Sequence, residues 1–243
     1  MKIDICLPTK NSIATLPKLF KSLEKQIYIT NARVLIADGS SSDKTLEYVN
    51  NYKFCKIISY ADDSPEDALN KLIKFDPKNL KIIVGSDDWL SKEYLSSFLI
   101  EAEKLHLGGE KKFILVPMFY KNIGTNLIKP NLPLPLFFLN FIGIGRGIGW
   151  GVFNHDGDLP LFSQELEIAT DYDYLLKCLN ENYKFKYVKC KYFHLKNGRS
   201  SRNWLVGIKE ERSIGLKYCK NSFLRFIINI LFGIKYIYKL LTS

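Results

Sequence analysis

The sequence predicts an α/β protein in which a mostly parallel sheet is flanked by helices, with an amphipathic helical tail at the C-terminus. Three observations predict it. Short β-rich apolar runs alternate with stretches of 3.6-residue apolar spacing, polar clusters follow the early runs, and residues 221–241 are largely apolar with three basic and no acidic side chains. The runs Ile3–Leu7, Arg33–Ala37, Lys56–Tyr60, Lys81–Val84 and Phe113–Pro117 read as strands. Between them, Leu16, Leu19, Phe20 and Leu23 mark one helix face, and Leu95, Phe98, Leu99 and Ala102 mark another. Such alternation argues for βαβ units and a sheet covered on both faces, with ligands beyond the carboxyl ends of the strands.

A chain of 243 residues with 47% hydrophobic and 25% charged residues buries a sizeable core, which excludes a disordered or repetitive polymer. The five cysteines, Cys6, Cys55, Cys178, Cys190 and Cys219, form no C-x-x-C pair and read as reduced, mostly buried thiols. Residues 1–8 read as a strand rather than a secretory signal, so a cytoplasmic address is expected. The net charge of +10 is uneven: residues 184–243 hold 14 basic side chains against Glu210 and Glu211. A polyanionic neighbour is implied, either anionic lipid or nucleic acid.

Four polar clusters end the predicted strands: Pro8-Thr9-Lys10-Asn11, Asp38-Gly39-Ser40-Ser41-Ser42-Asp43, Ala61-Asp62-Asp63-Ser64 and Gly85-Ser86-Asp87-Asp88. Each alone is an ordinary turn or helix cap; four on one edge point to a site. Adjacent carboxylates at Asp87 and Asp88 repel each other, and a bound Mg²⁺ or Mn²⁺ offsets that repulsion while keeping substrate phosphates in its shell. No G-x-x-x-x-G-K-[ST] or G-x-G-x-x-G motif follows the first strand, which removes the main support for kinases, P-loop ATPases and dinucleotide oxidoreductases.

In order and spacing, Ile5 to Asn11, Val34 to Thr45, Asp67 to Lys71, Gly85 to Asp88 and Ile168 to Leu176 resemble the family 2 glycosyltransferases, over roughly residues 3–202. The resemblance implies a GT-A fold and an inverting transfer from a UDP-sugar to a glycan or lipid-linked acceptor, in cell-surface polysaccharide or lipopolysaccharide synthesis. Carried over by position, Pro8, Thr9 and Asn11 line the nucleoside pocket and Asp38 accepts the uracil N3–H. Asp62 or Asp63, with Asn70 and Lys71, closes the base and ribose side, Asp63 being the choice of the pair. Asp87 contacts ribose, Asp88 binds the metal, and His194 is an additional metal ligand or else a structural histidine. Asp171 is the general base, with Asp173 next in line, and either also suits a helix cap. Lys196, Arg199 and Arg202 resemble a loop that folds over the diphosphate, with Arg199 the residue chosen.

The acceptor side is less settled. Gly143 to Gly151 places glycine at every second position, which leaves room for a sugar or for a packed neighbour. Trp150 stands where relatives often carry His, and is a candidate for stacking on a sugar ring. Leu132 to Leu139 is either membrane-facing, acceptor-facing or core. The expected division is a transferase domain over 1–220 and a basic amphipathic helix over 221–243. In that helix Arg225, Asn229, Lys235 and Lys239 share one arc, suited to anionic headgroups, and the protein is expected to lie peripherally on the inner face of the cell membrane. The alternative for the tail is packing on the core. Competing functions are an inactive sugar-nucleotide-binding or membrane scaffold and a nucleotidyltransferase; nucleic acid is not an expected partner, since no reader motif is present.

Overall fold

The computed structural model describes residues 1–123, 128–130, 149–195 and 203–242. Strand β1 (Ile3–Thr9) leads to helix α1 (Leu16–Thr30), then β2 (Arg33–Asp38), α2 (Thr45–Asn50), β3 (Cys55–Ser59), α3 (Pro65–Lys74) and β4 (Leu80–Ile83). The second half adds β5 (Trp89–Leu90), α4 (Tyr94–Leu107), β6 (Lys112–Ile123), β7 (Ile128–Pro130), β8 (Gly151–Asn154), α5 (Thr170–Asn180), β9 (Lys184–Leu195), α6 (Trp204–Tyr218) and α7 (Ser222–Thr242). All but β7 lie side by side in the order β3-β2-β1-β4-β8-β6-β9-β5, and β7 pairs with β6. Pairing is parallel through β3, β2, β1 and β4 and again between β6 and β9, whereas β8 runs antiparallel to both of its neighbours.

The helices form where local chemistry asks for them. The α3 helix opens at Ser64, whose hydroxyl accepts the Asp67 N–H at 3.0 Å; Pro65 follows, with Glu66 and Asp67 in the first turn and Lys71 and Lys74 in the last. The α1 helix buries Leu16, Leu19, Phe20, Leu23 and Ile27 on one face and ends at Asn31, which adopts the left-handed conformation at φ 50°. These side chains join Ile3, Ile5, Leu7, Val34 and Ile36 on one side of the sheet. On the other side, Cys6, Leu35 and Ala37 pack with Leu69, Leu72, Trp150, Phe162 and Tyr174. The central strands are thus covered on both faces, as their unbroken apolar runs require.

At the edge of the sheet away from the site, buried Asp4 accepts from Arg33 Nε at 2.7 Å, Lys81 Nζ at 2.6 Å and Asn79 Nδ2 at 3.1 Å. All five cysteines are free and four are buried; burial pushes the Cys6 thiol up to about 12.

The tail packs on α6. Arg225 donates to the Leu216 carbonyl at 2.7 Å, Asn229 accepts from Arg212 at 2.7 Å, and Lys235 pairs with Glu211. Three polar side chains of α7 thus find partners on or next to α6, with Arg225 and Asn229 still exposed, while Ile228 and Phe232 are the side chains the helix buries. Phe223, Phe226, Ile230, Ile234, Ile237 and Leu241 are left exposed. No helix of the described residues is long and apolar enough to cross a membrane.

Candidate active site

Parallel pairing brings the ends of β1, β2 and β4 to one edge. Thr9 sits beside Asp38 in the ladder, and the Gly39 N–H donates to the Thr9 carbonyl at 2.8 Å. The loops beyond are tied together. The Asn11 N–H donates to Ser41 Oγ at 2.8 Å and its Oδ1 accepts the Ser42 N–H at 2.8 Å, with Asn11 itself at φ 48°. Ser12 N–H donates to Thr45 Oγ1 at 2.8 Å, and Ser12 Oγ donates to Ser86 Oγ at 2.9 Å. Asp43 accepts the N–H groups of Ile13 and Thr45, so it caps α2 and anchors the first loop together. Three loops thus behave as one platform.

Asp38 is wholly buried, and its two oxygens accept the N–H and hydroxyl of Ser41 at 2.8 and 2.6 Å. It shapes the loop, with carboxylate lone pairs to spare. Thr9 Oγ1 beside it is buried and has no hydrogen-bond partner among the described residues. Such an atom is costly unless something meets it. Pro8 is half-buried in the same strand.

The acidic pair is completed from far along the chain. β5 pairs antiparallel with β9, Trp89 against Phe193, which sets Asp88 opposite His194. Asp88 is 2% exposed; His194 Nδ1 lies 2.5 Å from its Oδ1, while Oδ2 accepts the Gly85 N–H at 2.9 Å and the Tyr192 hydroxyl. Ligand atoms of Asp87, Asp88 and His194 lie within 4.8 Å of one another. Burial pushes the Asp88 carboxyl up, against the pull of His194, and the charge of Asp87 adds to the rise. Burial also works against the His194 imidazolium, yet the hydrogen bond and charge of Asp88 outweigh it and the ring titrates above its ordinary value. Gly85 completes the cradle: a Cβ there would stand 2.5 Å from Asp88 Oδ2 and 3.1 Å from Asp87 Oδ1. Two carboxylates and one imidazole crowded in this way suit a divalent cation.

Several expected residues take other parts. Asp63 is exposed, and Asp62 is the enclosed member of the pair: its side chain accepts from Ser59 Oγ at 2.6 Å and from Lys71 Nζ at 2.8 Å. Lys71 also meets Asp67 at 2.7 Å, and these partners raise its ammonium above its ordinary range, Asp62 first. Asn70 donates one amide N–H to the Phe162 carbonyl at 3.0 Å and accepts the Phe162 N–H at 2.8 Å, which pins residue 162 to α3. Trp150 is 2% exposed and stacks on Tyr174 at 5.0 Å and Phe162 at 6.0 Å. So little exposure leaves no face open to a sugar, and it belongs to the core. The glycine run from Gly143 to Gly147, Leu132 to Leu139, and Lys196, Arg199 and Arg202 lie outside the described residues. Where the glycine run re-enters them, a Cβ on Gly149 would lie 2.4 Å from the Tyr192 ring, so close packing explains that position.

Asp171 and Asp173 separate cleanly. Asp173 is buried, with Ser163 Oγ at 2.5 Å, Lys177 Nζ at 2.8 Å and Tyr218 OH at 3.1 Å. Burial opposes its charge, but Lys177 and Ser163 prevail and hold it below the usual carboxylate range. Asp171 pairs with no basic side chain among the described residues; its Oδ1 accepts the Tyr172 N–H at 2.8 Å. Burial first, then the charge of Glu211, raise it to about 7. A carboxyl in that range is suited to general-base work near neutral pH.

Sequence reasoning missed Tyr192 and Glu210, and gave Gly85 no role beyond its place in the acidic loop. Tyr192 was legible in principle, because period-two alternation puts it on the same face of β9 as His194. Glu210 accepts three backbone N–H groups, from Glu167, Ile168 and Ala169, at 2.7, 2.8 and 2.9 Å. No motif announces it.

A mostly parallel sheet with acidic loops at its carboxyl edge and a carboxylate-imidazole cradle at the end of β4 is the architecture of a GT-A glycosyltransferase. The chain belongs to glycosyl transferase family 2, whose sequence pattern matches residues 4–166. Among solved structures it is similar to S. aureus TarS, fragment 1–349, in complex with UDP-GlcNAc: 18% identity, 96% of this chain and 70% of that chain covered, TM-score 0.68. It is also similar to the mannosyltransferase PcManGT from Pyrobaculum calidifontis in complex with GDP-Man and Mn²⁺: 11% identity, 93% of this chain and 68% of that chain, TM-score 0.65. Curated protein sequences yield no match. The protein is therefore a glycosyltransferase, which sets aside the nucleotidyltransferase and inactive scaffold alternatives.

Proposed function

We propose that this glycosyltransferase moves a sugar from a UDP-sugar to a hydroxyl of a glycan or lipid-linked acceptor, with inversion, in cell-surface polysaccharide or lipopolysaccharide synthesis. The observation that carries the reading is the convergence of Asp38, the unpartnered Thr9 hydroxyl and the Asp87–Asp88–His194 cradle on one sheet edge. Binding of UDP-GlcNAc by TarS and of GDP-Man with Mn²⁺ by PcManGT supports it. Pro8, Thr9 and Asn11 face the nucleoside, Asp38 lends its remaining lone pairs to the uracil N3–H, Asp62 with Lys71 closes the base side, and Asp87 meets ribose. Asp88 and His194 hold Mn²⁺ or Mg²⁺. When bound, that ion supplies positive charge beside the diphosphate, and Arg199 adds to it.

Asp171 accepts the acceptor hydroxyl proton as the oxygen attacks the anomeric carbon; the bond from that carbon to the phosphate oxygen breaks, and its electron pair leaves on UDP. The exposed apolar side of α7, in a region carrying most of the positive charge, seats the enzyme peripherally on an anionic bilayer at the inner face of the cell membrane. The test of the donor site is calorimetry. UDP should bind with a requirement for Mn²⁺ or Mg²⁺ and weaken in Asp88→Ala; equal, metal-independent binding in both proteins refutes the reading.

A further inference from the structure

Residues 163–169 lead into α5 outside any strand, and α5 starts from Ala169, a cap residue with no side-chain acceptor of its own. The acceptor comes from α6 instead. Glu210 Oε1 takes the Glu167 N–H at 2.7 Å, and Oε2 takes those of Ile168 and Ala169 at 2.8 and 2.9 Å. Bonds to a carboxylate are the stronger class of hydrogen bond. Asn203, Gly207, Glu210, Ile214 and Tyr218 recur at helical spacing and so share one face of α6. Asn203 Nδ2 donates to Glu167 Oε1 at 2.7 Å, and Gly207 leaves room for Ile168, whose Cγ2 an added Cβ would meet at 3.1 Å. Ile214 and Tyr218 pack with Ala169, Tyr172 and Leu176, and the Tyr218 hydroxyl donates to Asp173 at 3.1 Å. A whole face of α6 thus rests on the segment that bears Asp171, and both lie beyond residue 166, where the family pattern ends.

We propose that Glu210 is a positioning residue for Asp171: by gathering the three N–H groups ahead of α5, it fixes where the first turn starts and so where the Asp171 carboxylate points. The inference rests on the reading of Asp171 as general base. Asp171 Oδ1 accepts the Tyr172 N–H at 2.8 Å within that turn, so its direction follows the backbone of residues 170–172. On the C-terminal side, Asp173 is tied to Lys177, Ser163 and Tyr218. Glu210 supplies the matching restraint on the N-terminal side. Without it the three N–H groups turn to water, the first turn of α5 frays and Asp171 leaves its place, while Asp38 and Asp88 at the ends of β2 and β4 keep theirs.

The test uses the full ¹⁵N-labelled chain, and its first part needs no substrate: amide hydrogen exchange is followed by NMR in Glu210→Ala and Glu210→Gln. In Glu210→Ala the amides of residues 167–169 should lose about tenfold protection or more. The Tyr172 amide, held by Asp171 and not by Glu210, should lose protection with them, while amides of β1 and β2 keep wild-type rates. Glu210→Gln, which retains one acceptor oxygen, should fall between. A loss spread evenly over the chain marks a role in stability only and overturns the proposal, as does a Tyr172 amide that stays protected while 167–169 are released. The second part is the release of UDP from whichever of UDP-glucose, UDP-galactose and UDP-GlcNAc the wild type hydrolyses fastest with Mn²⁺. Glu210→Ala should slow it about 10²-fold with UDP affinity unchanged, and should slow it no further in the Asp171→Asn background. An equal loss in both backgrounds overturns the coupling to Asp171. Full turnover in Asp171→Asn refutes the general base instead, and the exchange rates then judge the Glu210 clamp by themselves.

Discussion

Gly85→Ala tests the cradle by the smallest possible change. The added carbon would lie 2.5 Å from Asp88 Oδ2 and 3.3 Å from Asp88 Cγ. Carbon and oxygen in contact normally stay ~3.3 Å apart, so the carboxylate must retreat by about 0.8 Å. It cannot do so freely, because its oxygens are held by the Gly85 N–H, the Tyr192 hydroxyl and His194. Losing one hydrogen bond to a charged group costs about 1.5–3 kcal/mol, and shifting a metal ligand or its support costs roughly 10–100-fold in metal affinity. Metal-dependent UDP binding should therefore fall by about that factor. Calorimetry at saturating Mn²⁺ measures it, with thermal melting as a control for folding. Wild-type affinity in folded Gly85→Ala would mean that Asp88 is not a metal ligand in this position, and the argument from the cradle would be wrong.

Other outcomes follow from the same structure. Asp171→Asn should retain UDP binding and lose ~10²–10⁴-fold in transfer, because it keeps the shape and removes proton acceptance. Since Asp171 must be deprotonated to act and its carboxyl is raised to about 7, the wild-type rate should climb as pH rises through that value and level off above it; a rate flat from pH 5 to 8 excludes it as the base. Truncation after Lys220 should release the protein from vesicles containing anionic lipid, because it removes the exposed apolar face of α7. Equal vesicle binding with and without α7 would locate the contact elsewhere. Lys81→Met leaves Asp4 buried with only Arg33 and Asn79, and should cost about 3–5 kcal/mol in urea unfolding. A loss well under ~1 kcal/mol would show that Arg33 alone satisfies that carboxylate.

The parallel N-terminal half of the sheet, its loops and the family could be read without any coordinates. The apolar runs of β1, β2 and β4 and the facing apolar stripe of α1 are local signals, and pairing such strands in parallel brings Thr9, Asp38 and Asp87–Asp88 to one edge however the remainder is arranged. Family membership rests on that same stretch, since the matching pattern covers residues 4–166. What each of these side chains touches was settled by folding. His194 stands against Asp88 because a two-residue strand, Trp89–Leu90, pairs with β9 across about a hundred positions, and so short a strand carries no periodicity of its own. Asn70 and Trp150 have the right chemistry for ligand contact, yet folding ties the former to the Phe162 backbone and buries the latter in the core. The amphipathic character of α7 was plain from spacing alone, but spacing fixes only which residues share an arc. Which residues turn inward depends on the neighbour: Ile228 and Phe232 are buried against α6, Glu211 pairs with Lys235 and Arg212 with Asn229, and the remaining apolar side chains of α7 are left outside.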